Sequence, residues 1–209
     1  RERNLILPES AAEKSTTLAD LLPKAADTYG SDGAFLFKNE KDTWENVSYD
    51  EVLARVRALT LGLIDLGLEP GDRVSILGNT RIEWTLFDFA VMSAGGVVAP
   101  IYQTNSPVEC QYVIDHSGAR FVIVEDEAQL EKIRQVRNDL PGLEQVITMV
   151  GEAEDAVSMD ELMERGSGGD EAAFRRSYES VTPDDICKII YTSGTTGPPK
   201  GCVISHGNY

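Results

Sequence analysis

Cysteine is scarce in this sequence: three in 209 residues, at positions 110, 187 and 202. An odd number at wide spacing gives neither a disulfide framework nor a zinc site. Histidine is scarcer still. Only His116 and His206 occur, neither has a ligand-spaced companion, and no structural metal is expected. No run approaches the ~18 apolar residues of a membrane span. The opening stretch from Arg1 to Pro8 holds one short apolar patch and no secretory signal. It also lacks an initiator Met, which reads as a chain already trimmed. Basic residues are in short supply, with 19 Lys and Arg against 35 Asp and Glu and a net charge of −16. Nucleic-acid binders draw affinity from neutralising phosphates, so that class is excluded. Adsorption to anionic lipid is disfavoured, although peripheral membrane contact stays open. These absences describe a cytoplasmic chain with a solvated, self-repelling surface.

Helix and strand signals alternate along the chain. Leu18 to Tyr29 reads as a helix, and Ala34 to Phe37 as a short strand. Ser48-Tyr-Asp-Glu51 forms a capping box. The helix behind it places Val52, Val56, Leu59, Leu63 and Leu66 on one face, with Gly67 as its stop. A strand is expected from Arg73 to Leu77. Thr80-Arg-Ile-Glu83 reads as a second capping box, opening a helix that is apolar nearly all round and so buried on most sides. Trp84, Phe87 and Phe89 in it are read as core. Strands are expected at Val97–Ile101, Phe121–Val124 and Gln145–Met149. Ser106 to Glu109 gives a third capping box, with Pro107 at the favoured first helical position. Glu125 to Asn138 reads as a helix, and short helices start at Ser158 and Asp170.

Strands separated by helices imply a mostly parallel sheet covered by helices on both faces, an α/β fold. Residues 151–185 shift to Glu, Asp, Ser and Gly. They read as an acidic surface excursion within one domain rather than a linker. Cys187 to Tyr191 then forms a strand, with Cys187 as a small core residue.

That strand delivers Tyr191-Thr-Ser-Gly-Thr-Thr-Gly-Pro-Pro-Lys-Gly201. The ten residues after Tyr191 supply three glycines, four hydroxyls, two prolines and one lysine. Glycines let the backbone turn and approach a ligand closely. Successive backbone N–H groups form an anion-binding concavity. Hydroxyls add neutral donors, and Lys200 adds one mobile positive charge. A surface turn built of turn formers would share the composition but not the spacing. The P-loop NTPase pattern does not fit, because Lys200 follows Pro199 and Gly201 stands where Ser or Thr is required. Nor is there a dinucleotide-binding G-x-G-x-x-G.

The eleven residues from Tyr191 to Gly201 resemble the signature loop of the adenylate-forming superfamily, [YF]-T-S-G-T-T-G-x-P-K-G, at every position. Cys202 stands where a small aliphatic is more usual, and Ser205-His-Gly-Asn208 is similar to the family's following H-x-N segment. Gly67 to Val74 resembles its early G-x-x-x-G-D-x-V turn and strand. Val91 to Pro100 resembles its helix-to-strand motif. Arg81 to Asp126 looks most like the long-chain fatty-acid–CoA ligase branch. The resemblance covers residues 1–209 as the amino-terminal part of the large adenylate-forming domain, an incomplete one.

The resemblance implies ATP-dependent activation of a fatty acid to an acyl-adenylate, then transfer to coenzyme A. The small-molecule substrates are ATP with Mg2+, the fatty acid and coenzyme A. Thr192, Ser193, Gly194, Thr195, Thr196 and Gly197 would hold the β- and γ-phosphates, and Lys200 would steady the departing pyrophosphate. His206 reads instead as a polar loop residue or helix-start donor, and His116 as a helix-end residue favoured by the dipole. The family's adenine-binding segment, magnesium-binding glutamate, ribose-binding aspartate, hinge and principal catalytic lysine have no counterpart before Tyr209. The 209-residue chain alone is therefore expected to be inactive. The alternatives are another adenylate former, either a fatty acyl-AMP ligase or a peptide-synthetase adenylation domain, and a non-catalytic nucleotide-binding module.

Overall fold

The computed structural model describes residues 15–38, 43–192 and 197–209. Helix α1 (Leu18–Tyr29) leads into a two-stranded antiparallel ribbon, β1 (Gly33–Lys38) and β2 (Trp44–Ser48). Helix α2 (Tyr49–Asp65) starts where its sequence requires. The Ser48 hydroxyl accepts the Glu51 N–H, and the Glu51 carboxylate accepts the Ser48 N–H at 2.8 Å. Its apolar stripe is fully buried at Val52, Val56, Leu59 and Leu63.

Three β–α units follow: β3 (Arg73–Gly78) with α3 (Ile82–Ser93), β4 (Val97–Tyr102) with α4 (Pro107–Ser117), and β5 (Ala119–Val124) with α5 (Glu127–Val136). The predicted box at Thr80 is not made. Helix α3 starts after Arg81 with no side-chain cap. The Arg81 guanidinium takes the Glu83 carboxylate at 2.5 Å and reaches Glu125 at 3.3 Å. A charge-assisted bond to guanidinium outcompetes a neutral backbone N–H for that carboxylate. The predicted helix from Glu125 to Asn138 is shorter, because Asp126 caps it and its last turn tightens into a 3₁₀ segment, Arg137–Asp139.

Strands β6 (Gln145–Thr148) and β7 (Val157–Ser158) and helices α6 (Met159–Ser167) and α7 (Glu171–Glu179) precede a closing pair, β8 (Ile186–Thr192) and β9 (Lys200–Ser205). Seven strands form one sheet in the order β7-β6-β5-β3-β4-β8-β9. All neighbours are parallel except β8 and β9. The sheet divides the core in two. Val74, Ile76, Val98, Phe121 and Ile123 pack with α2 and α3 on one face; Leu77, Ile101, Val122 and Val124 pack with α4 and α5 on the other. Strand residues alternate between these clusters, as the pleat demands.

Residues 151–185 reach into the first of these faces. Leu162 of α6 and Phe174 of α7 are buried, and α6 lies directly on α2. Two glycines permit that approach. A Cβ on Gly166 would collide with the Ala58 carbonyl, and one on Gly62 with the Leu162 carbonyl. Replacing Gly166 by Ala is expected to cost about 1–3 kcal/mol, because backbone rather than a movable side chain must give way. The midpoint of denaturant unfolding should fall. Gly168→Ala, whose added methyl meets open space, should leave the midpoint in place.

Candidate active site

In a largely parallel sheet, ligands collect outside the carboxyl ends of strands where successive connections leave in opposite directions. The chain leaving β4 turns toward β5, and the chain leaving β8 turns toward β9, on the far side. A crevice of about 530 Å³ opens between their ends. Pro100, Ile101 and Tyr102 line it from β4, Ile190, Tyr191 and Thr192 from β8, and Val108 and Tyr112 from α4. A smaller crevice of about 230 Å³ shares Tyr102 and Tyr191 and adds Gly78, Thr80 and Trp84.

The signature motif is a β-hairpin across this opening. Thr192 ends β8, Lys200 begins β9, and the two are direct cross-strand neighbours. Tyr191 faces Gly201 in the same ladder. A Cβ at Gly201 would run into the Ile189 side chain and crowd the Tyr191 ring, so glycine lets that ring lie flat over the partner strand. Gly197 adopts φ 98°, a left-handed conformation that favours glycine. Thr192, Gly197 and Lys200 are exposed at the mouth. Ser193, Gly194, Thr195 and Thr196 lie outside the described residues.

Side chains away from the motif hold it, contacts that the sequence reading did not assign to them. From α4, the Tyr112 hydroxyl donates to the Pro199 carbonyl at 2.8 Å. One turn later, His116 Nδ1 lies 2.8 Å from the Tyr191 hydroxyl. Burial pushes the Tyr191 phenol up, so it keeps its proton. The available signal was an aromatic and an imidazole at i and i+4 on one helix face. The loop after β4 is held from α5. Lys132 Nζ donates to the Gln103 carbonyl at 2.6 Å and the Asn105 carbonyl at 2.9 Å. Glu109, at the crevice edge, is spent on capping. Its carboxylate accepts the Ser106 N–H at 2.7 Å, which holds its pKa below the usual range.

Beneath the hairpin, Lys188 of β8 meets Asp88 of α3 in a two-pronged ion pair at 2.7 and 2.8 Å. Both side chains are nearly buried. Burial raises the Asp88 pKa, and the Lys188 charge opposes that shift. Phe87 is fully buried, as expected of core. Trp84 and Phe89 are half-buried against the same cluster, and Trp84 also walls the smaller crevice beneath Lys188. Cys187 is core. His116 sits in the last turn of α4, ahead of a left-handed Gly118 cap.

The chain matches the family of AMP-binding enzymes over residues 22–209. It belongs to that family. It is 35% identical over 208 residues to the mouse long-chain-fatty-acid–CoA ligase ACSBG1, covering 98% of this chain and 29% of that protein. It is 34% identical over 188 residues to the long-chain-fatty-acid–CoA ligase FadD15 of Mycobacterium bovis, covering 84% of this chain and 31% of that one. Among solved structures, the anthranilate–CoA ligase AuaEII in complex with anthranoyl-AMP superposes with a TM-score of 0.79 at 26% identity, covering 94% of this chain and 36% of that chain. The chain thus spans about three-tenths of the length of the curated relatives it matches. Among the described residues no helix is long and apolar enough to cross a membrane.

Of the two readings of His206, a polar loop residue or a helix-start donor, the second matches its place at the start of a 3₁₀ turn, and its burial is the unexpected part. His206 heads that turn (His206–Asn208), and its Nδ1 accepts the Leu18 N–H at 3.1 Å, tying the end of β9 to the start of α1. Burial lowers its pKa, against smaller opposing pulls from Asp185 and Asp20. The unfolded chain therefore binds this proton more tightly. The stabilisation from neutral His206 is complete above the unfolded value of about 6.5 and is lost as pH falls through the lower folded value. Acidification from pH 7 toward 5 should accelerate amide exchange at Leu18, after correction for the intrinsic rate. In His206→Gln, which does not titrate, that dependence should disappear.

Proposed function

We propose that this chain is the amino-terminal part of the large domain of an ATP-dependent fatty-acid–CoA ligase, and that its hairpin loop holds the β- and γ-phosphates of ATP. The observation that carries this reading is the register of Thr192 against Lys200 at the carboxyl end of β8, at the mouth of the crevice. A hydroxyl and an ammonium then flank one glycine-bearing turn, which suits an oligophosphate.

In the proposed reaction a fatty-acid carboxylate oxygen bonds to the α-phosphorus of ATP as the bond to the β-phosphate bridge breaks. Pyrophosphate leaves and an acyl-adenylate remains. The coenzyme A thiol then attacks the acyl carbon, loses its proton, and AMP departs. Chemistry at phosphorus depends mainly on positioning and on stabilising charge. Thr192, Ser193, Gly194, Thr195, Thr196 and Gly197 are assigned to positioning. Lys200 is assigned to the charge that accumulates on pyrophosphate. The described residues do not fit a resident magnesium ion, since no group of three His, Cys, Asp or Glu side chains stands together among them. Magnesium is assigned to the substrate, as the counter-ion of the ATP phosphates. A cytoplasmic setting belongs to the same proposal.

The test is carboxylate-dependent pyrophosphate exchange in the intact protein, across acids of graded chain length and an aryl acid such as anthranilate. Exchange is expected with fatty acids. No exchange with any fatty acid would overturn the substrate class, and exchange with the aryl acid alone would move the protein to another branch of adenylate formers. Separately, Lys200→Ala should lower kcat/KM for ATP on the order of 10- to 100-fold, the scale for losing one charged donor to a developing anion. Its unfolding midpoint should not move, because Lys200 is exposed and contacts no core.

A further inference from the structure

We propose that Tyr112 and His116 are positioning residues that brace the phosphate loop at its two ends, Tyr191 and Pro199, before ATP arrives. The proposal rests on the reading of that loop as the ATP phosphate holder, and it adds residues that lie some 80 positions from the motif.

The geometry is a two-point grip. Tyr112 holds the Pro199 carbonyl, which belongs to the same peptide unit as the Lys200 N–H. Fixing that plane fixes the backbone from which the Lys200 side chain springs. Pro199 has its own φ locked by its ring, so the anchor acts on an already stiff segment. His116 holds the hydroxyl of Tyr191, the residue that enters the motif. The three rings also pack on one another. Tyr112 and His116 stack with centroids 5.2 Å apart, and Tyr191 meets them edge-on at 6.2 and 5.7 Å.

The helix that carries the grip is itself rigid. Helix α4 has a complete capping box at Ser106, Pro107 in its first turn and a left-handed glycine cap at its end. Cys110, Val113 and Ile114 anchor its other face in the core. A loop that wraps a ligand loses conformational freedom in general, and a rigid support that fixes its two ends beforehand lowers that loss. Both hydrogen bonds lie on the solvent side. Bonds so placed add little to global stability, so their contribution falls on loop geometry.

The experiment uses the intact protein and Tyr112→Phe, which removes the hydroxyl and keeps the ring packing. The KM for ATP should rise about 3- to 10-fold, the range for one hydrogen bond, with the KM for the fatty acid and the unfolding midpoint unchanged. His116→Ala should act in the same direction, and His116→Gln, which retains an acceptor, should recover part of the loss. An unchanged ATP KM in Tyr112→Phe overturns the brace, as does a parallel rise for both substrates with a lowered unfolding midpoint. Lys200→Ala separates the two levels. If it weakens ATP use while Tyr112→Phe does not, the brace alone falls. If neither has an effect, the loop does not hold the phosphates and the brace falls with it.

Discussion

The site depends on one strand taking its place: β8 inserts beside β4, and everything at the mouth of the sheet follows from that contact. The parallel pairing aligns Val98 with Lys188. At that level Lys188 meets the Asp88 carboxylate with both oxygens. Burying two charges is expensive, and such a pair gives modest net stability at best. Its value here is selectivity. A shift of β8 along β4 would leave Lys188 and Asp88 buried and unpaired, so one register is favoured over its neighbours. That register puts Tyr191 opposite His116 and Pro199 opposite Tyr112. Crevice, hairpin and brace share a single alignment.

The proposed function asks an acidic protein to hold an anion, and the hairpin bears on how it would do so. A net charge of −16 works against phosphate binding at long range. The remedy is local. Lys200 stands at the start of β9 and Thr192 at the end of β8, in direct register. Glu109, the carboxylate that lines the crevice, is engaged in its capping box, where it accepts the Ser106 N–H at 2.7 Å.

Local signals were legible in the sequence where nothing competed with them. The Ser48 and Ser106 boxes form as read, because Glu51 and Glu109 have no stronger suitor. The Thr80 box fails because Arg81 sits between cap and carboxylate and takes Glu83 for itself. The α/β alternation and the burial of the continuous strands came from the apolar pattern. Strands β2, β7 and β9 did not. β7 has two residues, and β9 is an antiparallel edge whose pairing is visible only once the chain turns back through the loop. The family signature was legible from its spacing, and the chain does belong to the family of AMP-binding enzymes. The contacts of Tyr112 and His116 were not, since their targets lie beyond three strands and three helices of intervening chain. The burial of His206 was not legible because its partner is α1, at the far end of the sequence.

The sheet order carries a consequence for the nascent chain. Val98 and Lys188 are neighbours in space, yet the ribosome adds about 90 residues between them. At roughly 5–20 residues per second, β4 leaves the translation machinery some 5–20 s before the strand that will cover it exists. Through that interval it is an open, apolar edge, a template for mispairing. Pro100 lies in the middle of β4 and has no N–H to offer. In the finished sheet a proline in an interior strand looks out of place. During synthesis it guards a seat that has to stay empty until β8 arrives.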